Sequence, residues 1–273
     1  MSAASPSIEQ LLAGGDVKAC CAAAYEHPLI RWLLGEELHP GGDATTRRAL
    51  ELIELGPGDR LLDVASGSGA SALLAAREIG CEVVGLEYGE GAVAAARVQA
   101  EAAGAGGRVA FVVGDAEALP FEAGEFDAVL CECSLCTFPD KARAVGEISR
   151  VLRPDGAVAI SDVVADRARI PAELDGILAT VACVGEALDE AGYLELLRRC
   201  GLDLIEVESR EADAAAMAER VHDRLRGARI VAADQLAGLP GGIDAAIELT
   251  AVARQAIADG ALGYSIFAAR HPG

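Results

Sequence analysis

The chain has 273 residues, 52% of them hydrophobic, with 23 lysines and arginines against 43 aspartates and glutamates and a formal net charge of -20. Such a content of apolar residues supplies a core and excludes a disordered chain, while the negative charge repels phosphate backbones and anionic bilayers, so neither nucleic acid nor a membrane is expected as a partner. The eight cysteines occur without a basic and apolar leader or an apolar span of about 18 residues, which favours a soluble cytoplasmic protein with free thiols over a disulfide framework.

In chain order, Ile8 to Leu12, Val17 to Leu34 and Ala44 to Leu55 read as helices and form an N-terminal helical layer over residues 1–56. The third of these is capped near Asp43 or Thr45 and stopped by Gly56, Pro57 and Gly58. Between helices, Leu38 to Arg47 carries Pro40, Gly41 and Gly42 and reads equally as a plain connection or as a loop over a crevice.

Arg60 to Ser71 then reads RLLDVASGSGAS. Leu61, Leu62 and Val64 suit a buried parallel strand, and Gly67 and Gly69 permit a sharp turn and close backbone approach to a ligand. With a helix from Ala70 to Ile79, the unit is a nucleotide cradle whose backbone N–H groups face the crevice at the strand's end. Strands follow at Glu82 to Glu87, Arg108 to Val113, Asp127 to Glu132 and Ala157 to Val163, with helices at Gly91 to Ala103 and Lys141 to Leu152, the latter stopped by Pro154. Beyond Pro171 come helical stretches at Ala172 to Val184 and Tyr193 to Cys200, a strand at Leu202 to Ser209, helices at Ala212 to Ile230 and Ile243 to Ala258 around a break at Gly238 to Gly242, and a last strand at Leu262 to Ala269. The expected fold is α/β: a Rossmann-like, doubly wound, mostly parallel seven-stranded sheet. Its core spans residues 57–211, a helical insertion 212–261 follows, and 262–273 return as the last strand; the insertion is read as either a lid or a homodimer surface.

Glu87 ends the second strand about 20 residues beyond the loop, where an acid accepts hydrogen bonds from a ribose. Gly67, Gly69 and Ala72 also satisfy the loose dinucleotide pattern, so an NAD-dependent oxidoreductase shares this reading. Against it stand Asp63 immediately before the loop, which repels a pyrophosphate but suits a sulfonium or ammonium cation, and a third crevice element at Gly114, Asp115 and Ala116.

From Arg60 to Val163, and again in the last strand, the chain resembles the class I S-adenosylmethionine-dependent methyltransferases. The resemblance implies that Asp63, Ala65, Ser66, Gly67 and Gly69 hold the methionine portion of S-adenosyl-L-methionine, Glu87 and its neighbour Tyr88 the ribose, and Asp115 and Ala116 the adenine, with Glu132 at the end of the fourth strand. Ala65 departs from the glycine that many members carry.

The fourth strand runs out as CECSLCTFPDK, where period-two alternation places Cys131 and Cys133 on one face and Cys136 just beyond. No paired CxxC completes a structural zinc set, so no metal site is expected, and buried Cys131 and Cys81 read as core thiols. A narrower resemblance, to the arsenite methyltransferases, rests on Cys133 with Pro139, Asp140 and Lys141, and on Cys183 with Gly185, Ala187, Leu188 and Tyr193. It implies that Cys133 and Cys183 hold a thiophilic acceptor such as arsenite beside Glu132, whereas the N-terminal cysteines of that family have counterparts only in Cys20 and Cys21. A small metabolite methylated on carbon, oxygen or nitrogen is the other acceptor class; oxygen or nitrogen would call on His39, His27, Glu132 or Tyr25 to take a proton.

Overall fold

A computed structural model describes residues 17–35, 38–175, 183–231 and 241–273. Its sheet consists of β1 (Arg60–Val64), β2 (Glu82–Glu87), β3 (Val109–Val113), β4 (Phe126–Glu132), β5 (Leu152–Ala165), β6 (Asp203–Ser209) and β7 (Leu262–Arg270) in the order β3-β2-β1-β4-β5-β7-β6. The first five strands pair in parallel, and β7 runs antiparallel between β5 and β6. β1 has neighbours on both edges and helices over both faces, which is why its sequence is a continuous apolar run and not an alternation. Strand order reverses between β1 and β4, so the crevice at their carboxyl ends is the expected ligand position.

The described helices are α1 (Val17–Glu26), α2 (Pro28–Leu34), α3 (Gly42–Leu52), α4 (Ala70–Glu78), α5 (Glu90–Ala102), α6 (Lys141–Val151), α7 (Glu190–Arg199), α8 (Glu211–Val231) and α9 (Gly242–Ala258). On one face of the sheet Leu50, Ala75 and Val93 of α3, α4 and α5 bury Leu61, Val83 and Leu130. On the other, Ile148 of α6 and Leu197 of α7 bury Leu62, Val129 and Phe267. α8 and α9 follow β6 and pack with α1 and α2 through Ala24, Ile30, Leu225 and Ala246. No described helix is long and apolar enough to cross a membrane.

Several boundaries differ from the sequence reading. The helix expected over Val17 to Leu34 is two, because Pro28 starts α2 and the His27 side chain caps it by accepting from the Leu29 N–H. α3 is entered through Gly41, in the left-handed region at φ 78°, and not through a side-chain cap at Asp43 or Thr45. The helix expected over Lys141 to Leu152 ends at Val151 with Leu152 as its C-cap, and Pro154, two residues on, lies within β5, where Arg153 to Asp155 are exposed and the β4 register shifts, so its missing N–H costs no ladder bond. Of the helix expected over Ala172 to Val184, Ala172–Asp175 is a 3-10 turn, Cys183 stands in the left-handed region at φ 62°, and 176–182 lie outside the described residues. The helix expected at Ile8 to Leu12 and the break from Gly238 to Pro240 also lie outside them.

Candidate active site

A cavity of about 760 Å3 opens at the ends of β1, β2 and β4. Asp63, Ala65, Ser66, Gly67, Glu87, Tyr88, Asp115, Ala116, Glu132 and Cys133 all line it, so residues spread over 70 positions of sequence meet there; Gly69 and Cys183 stand behind the lining. Gly69 instead caps α4 at φ 85°, and a Cβ on it would collide with the ring of Phe111. Ala65 takes φ 58°, the left-handed backbone that glycine adopts freely and alanine adopts at a cost of roughly 1 kcal/mol. The loop therefore keeps the glycine-like turn at Ala65.

Two buried polar atoms in this cradle have no partner: Oδ2 of Asp63 and the hydroxyl of Ser66. Burial, followed by the charges of Glu132 and Glu87, pushes the Asp63 carboxyl well above the usual carboxylate range. The carboxyl has a backbone hydrogen bond from Ala72, but a buried acid with one oxygen unpartnered beside two other acids is completed by a bound cation, which supplies the missing partner and offsets the repulsion. Glu87 is pre-oriented: its two carboxylate oxygens accept from the N–H groups of Gly67 at 2.9 Å and Gly89 at 3.0 Å, tying the acid of β2 to the glycine loop of β1. Asp115 accepts from the Glu117 N–H at 2.9 Å and from Lys18 Nζ at 2.8 Å; burial acts to raise its carboxyl, but these bonds leave it below the usual range. An acid with an unpartnered oxygen, an oriented acid and a third acid, Asp115, in one cavity together fit S-adenosylmethionine.

Glu132 ends β4 with its side chain 5% exposed and is held by three hydroxyls: Ser71 at 2.6 Å, Thr46 at 3.1 Å and Ser161 at 3.4 Å. His39 Nε2 lies 3.7 Å from the same carboxylate. Thus α3, α4 and β5 converge on one acid, and the carboxyl beside the cysteines is hydrogen-bonded on both oxygens.

Beyond Glu132 the chain leaves the strand. Cys133 adopts φ 48°, and this turn carries it away from Cys131: the two do not share a face. Cys131 is buried among β5, α6 and α7 residues, bonded to the Ser134 hydroxyl at 3.1 Å, with its thiol raised to about 12 by burial. Cys133, by contrast, packs beside Cys136 and Cys183. Its Sγ lies 3.9 Å from Cys183 Sγ, which receives the Tyr25 hydroxyl at 2.9 Å. Hydrogen bonds from Cys133 and Cys136, and then from Tyr25, hold the Cys183 thiol well below its ordinary value against burial. Donation to Cys183, followed by burial, raises Cys133 well above its own. Five non-glycine residues among those described have positive φ, and Ala65, Cys133 and Cys183 are three of them. Backbone strain of this kind concentrates at functional sites.

Cys20 is buried in α1 and is not a lining residue of the cavity. Among the described residues no group of three or more His, Cys, Asp and Glu is arranged to hold a metal ion. His27 serves as the α2 cap. Sequence reasoning missed Lys18, Thr46 and Ser71. Ser71 directly follows the loop and was legible by proximity, but Lys18 and Thr46 come from helices 97 and 86 residues away from the acids they contact, and no local pattern marks them.

Residues 62–160 match the methyltransferase domain family. The chain is 34% identical over 196 residues to the 27-O-demethylrifamycin SV methyltransferase of Amycolatopsis mediterranei, covering 64% of this chain and 70% of that protein. To the arsenite methyltransferase of Halobacterium salinarum it is 34% identical over 150 residues, covering 51% of this chain and 38% of that protein. The crystal structure of the cyclase SpnF superposes with a TM-score of 0.74 at 26% identity, over 98% of this chain and 97% of the other. The chain spans 58% to 70% of the length of three curated relatives that it matches.

Proposed function

The chain belongs to the class I S-adenosylmethionine-dependent methyltransferases, and we propose that it methylates a small thiophilic acceptor, As(III), held by Cys133 and Cys183. The carrying observation is the convergence of two thiols 50 residues apart at 3.9 Å, one of them lining the cavity that contains the cofactor cradle. The similarity to an arsenite methyltransferase supports the same reading.

S-adenosylmethionine, when bound, supplies a methyl group activated by its sulfonium. The residues of the chain have three tasks. Asp63 and Glu87 hold and orient the cationic cofactor, with Asp115 at its far end. Cys133 and Cys183 exchange two hydroxyls of arsenous acid for two As–S bonds, releasing two waters and leaving the arsenic lone pair intact. Because that lone pair is itself the nucleophile, the site requires alignment and exclusion of water and no general base. Glu132, fixed by Ser71, Thr46 and Ser161, places its carboxylate oxygens at the end of β4, between the cofactor cradle and Cys133.

The test is arsenite, S-adenosylmethionine and a reducing thiol, with methylated arsenic read by chromatography and mass spectrometry. Cys133→Ser and Cys183→Ser should each abolish the product while calorimetric binding of S-adenosylhomocysteine is retained. A wild-type protein that forms no methylated arsenic refutes the acceptor. The second reading, a hydroxyl or amine of a small metabolite, draws on the cavity-lining His39 beside Glu132 as proton acceptor and on the similarity to an antibiotic methyltransferase. In that case His39→Ala, and not Cys183→Ser, removes turnover.

A further inference from the structure

On α1, Lys18, Ala22, Tyr25 and Glu26 are spaced i, i+4, i+7 and i+8, one face of a helix, and all four line the cavity. The opposite side is apolar: Ala24 is fully buried against α2, α8 and α9. The cavity face is fastened at both ends. Lys18 Nζ lies 2.8 Å from Asp115 and 2.7 Å from Glu117, at the adenine end of the cradle. Glu26 accepts from the Ala92 N–H at 2.9 Å in the first turn of α5, and the absence of side chains at Gly89 and Gly91 lets that carboxylate approach. Between these fastenings, Tyr25 places its hydroxyl 2.9 Å from Cys183 Sγ, and Cys183 is only 2% exposed. One ten-residue helix therefore forms a wall of the cofactor cavity and covers the second thiol.

We propose that α1 is a strap coupling the two halves of the site, with Lys18 and Tyr25 as its positioning residues: a cofactor in the cradle seats α1, and a seated α1 holds Tyr25 over Cys183. The physical basis is linkage. A ligand that contacts the seated helix and not the lifted one stabilises the seated state by its differential affinity, and any group on Cys183 that lifts Tyr25 weakens the cofactor by the same factor. The order of events follows. The acceptor is loaded on Cys133, which faces the cavity, and reaches Cys183 while α1 is lifted; cofactor binding then closes the strap and dries the site. Tyr25 and Lys18 lie about 10 Å apart along the helix axis, so the two halves communicate through one rigid element without a longer relay.

The proposal rests on the cofactor and thiol assignments above, and its readout is chemical modification of the full-length protein, independent of turnover. N-ethylmaleimide labelling, followed by peptide mass mapping, gives separate rates for Cys133 and Cys183. Saturating S-adenosylhomocysteine should slow labelling of Cys183 by about tenfold. In Lys18→Ala that protection should fall to about twofold or less, and Lys18→Arg should restore it. Tyr25→Phe should speed Cys183 labelling in the free protein and weaken S-adenosylhomocysteine by no more than the same factor, with circular dichroism unchanged; Tyr25→Ala should speed it further. Reciprocally, protein labelled at Cys183 should bind S-adenosylhomocysteine more weakly. Full protection in Lys18→Ala, no protection in the wild type, or a Cys183 that stays unlabelled in Tyr25→Ala would each overturn the strap. Any of these leaves arsenite methylation by Cys133 and Cys183 standing, and failure of that reaction leaves the strap standing.

Discussion

Two buried acids, Asp63 in the cofactor half and Asp162 in the thiol half, are 2% and 0% exposed, yet their surroundings differ. Asp63 Oδ2 has no partner, whereas Asp162 uses both oxygens: Oδ2 accepts from the Cys136 N–H at 2.8 Å and Oδ1 from the Val163 N–H at 2.7 Å. Both carboxyls are raised by burial first. For Asp63 the neighbouring acids Glu132 and Glu87 add to it, and for Asp162, raised to about 7, the Cys183 thiolate adds to it. The same burial thus produces an acid waiting for a cation and an acid that organises a turn. Unmet hydrogen-bonding capacity, not burial or pKa, separates a binding group from a structural one.

The largest stability effect breaks the comparison from the Asp162 side. Its native pKa lies above the unfolded value, so its favourable contribution is complete below about pH 4 and is lost as pH rises to about 7, where the native acid must ionise. The total loss across this window amounts to on the order of 4 kcal/mol. Denaturant titrations from pH 4 to 8 should show wild-type stability falling through this window, and Asp162→Asn should be less stable at low pH, where it forfeits one backbone hydrogen bond, but flatter. Asp63 should respond to ligand instead. A cation bound beside it lowers its raised pKa, so binding of a cationic cofactor analogue should be linked to proton release, detectable by calorimetry over a series of pH values in buffers of different ionisation enthalpy. Asp63→Asn should abolish the release, and Asp162→Asn should not.

This contrast also explains what was legible in the sequence. The cofactor half is made by consecutive elements of a parallel sheet, so Asp63, the glycine loop, Glu87 and Asp115 are found by strand order and spacing alone. The thiol half is made by Tyr25, Cys133 and Cys183, which tertiary packing brings together across 158 positions. A resemblance pointed to the two cysteines; Tyr25 was singled out only as a proton acceptor and not as the partner of Cys183, and nothing local pointed to Lys18 or Thr46. The period-two expectation for Cys131 and Cys133 failed for a local reason, since β4 ends at Glu132 and the next residue turns left-handed.

Next in size is Gly69→Ala, which tests whether the cofactor half depends on backbone shape. At φ 85° an alanine is strained, and its Cβ would meet the Phe111 ring, which Arg97 braces by donating to the Phe111 carbonyl at 2.6 Å. Strain and overpacking together should cost about 3 kcal/mol. S-adenosylhomocysteine binding should be lost with it, while labelling of Cys133 in the folded fraction persists.

The smallest effect sharpens the thiol half. Cys131 and Cys133 are two residues apart, and composition treats them alike. Cys131, however, is fully buried with its thiol raised to about 12, whereas Cys133 lines the cavity and bonds to Cys183. Deleting the sulfur of Cys131 removes one core atom and its contact with Ser134, a loss of about 1 kcal/mol, or about 2 °C in Tm for a chain of this size. Cys131→Ala should accordingly keep its cofactor affinity, its labelling rates at Cys133 and Cys183 and its methylation of arsenite. If it lost methylation at unchanged cofactor affinity, the acceptor site would extend through β4 into the core, and the left-handed turn at Cys133 would no longer mark its boundary.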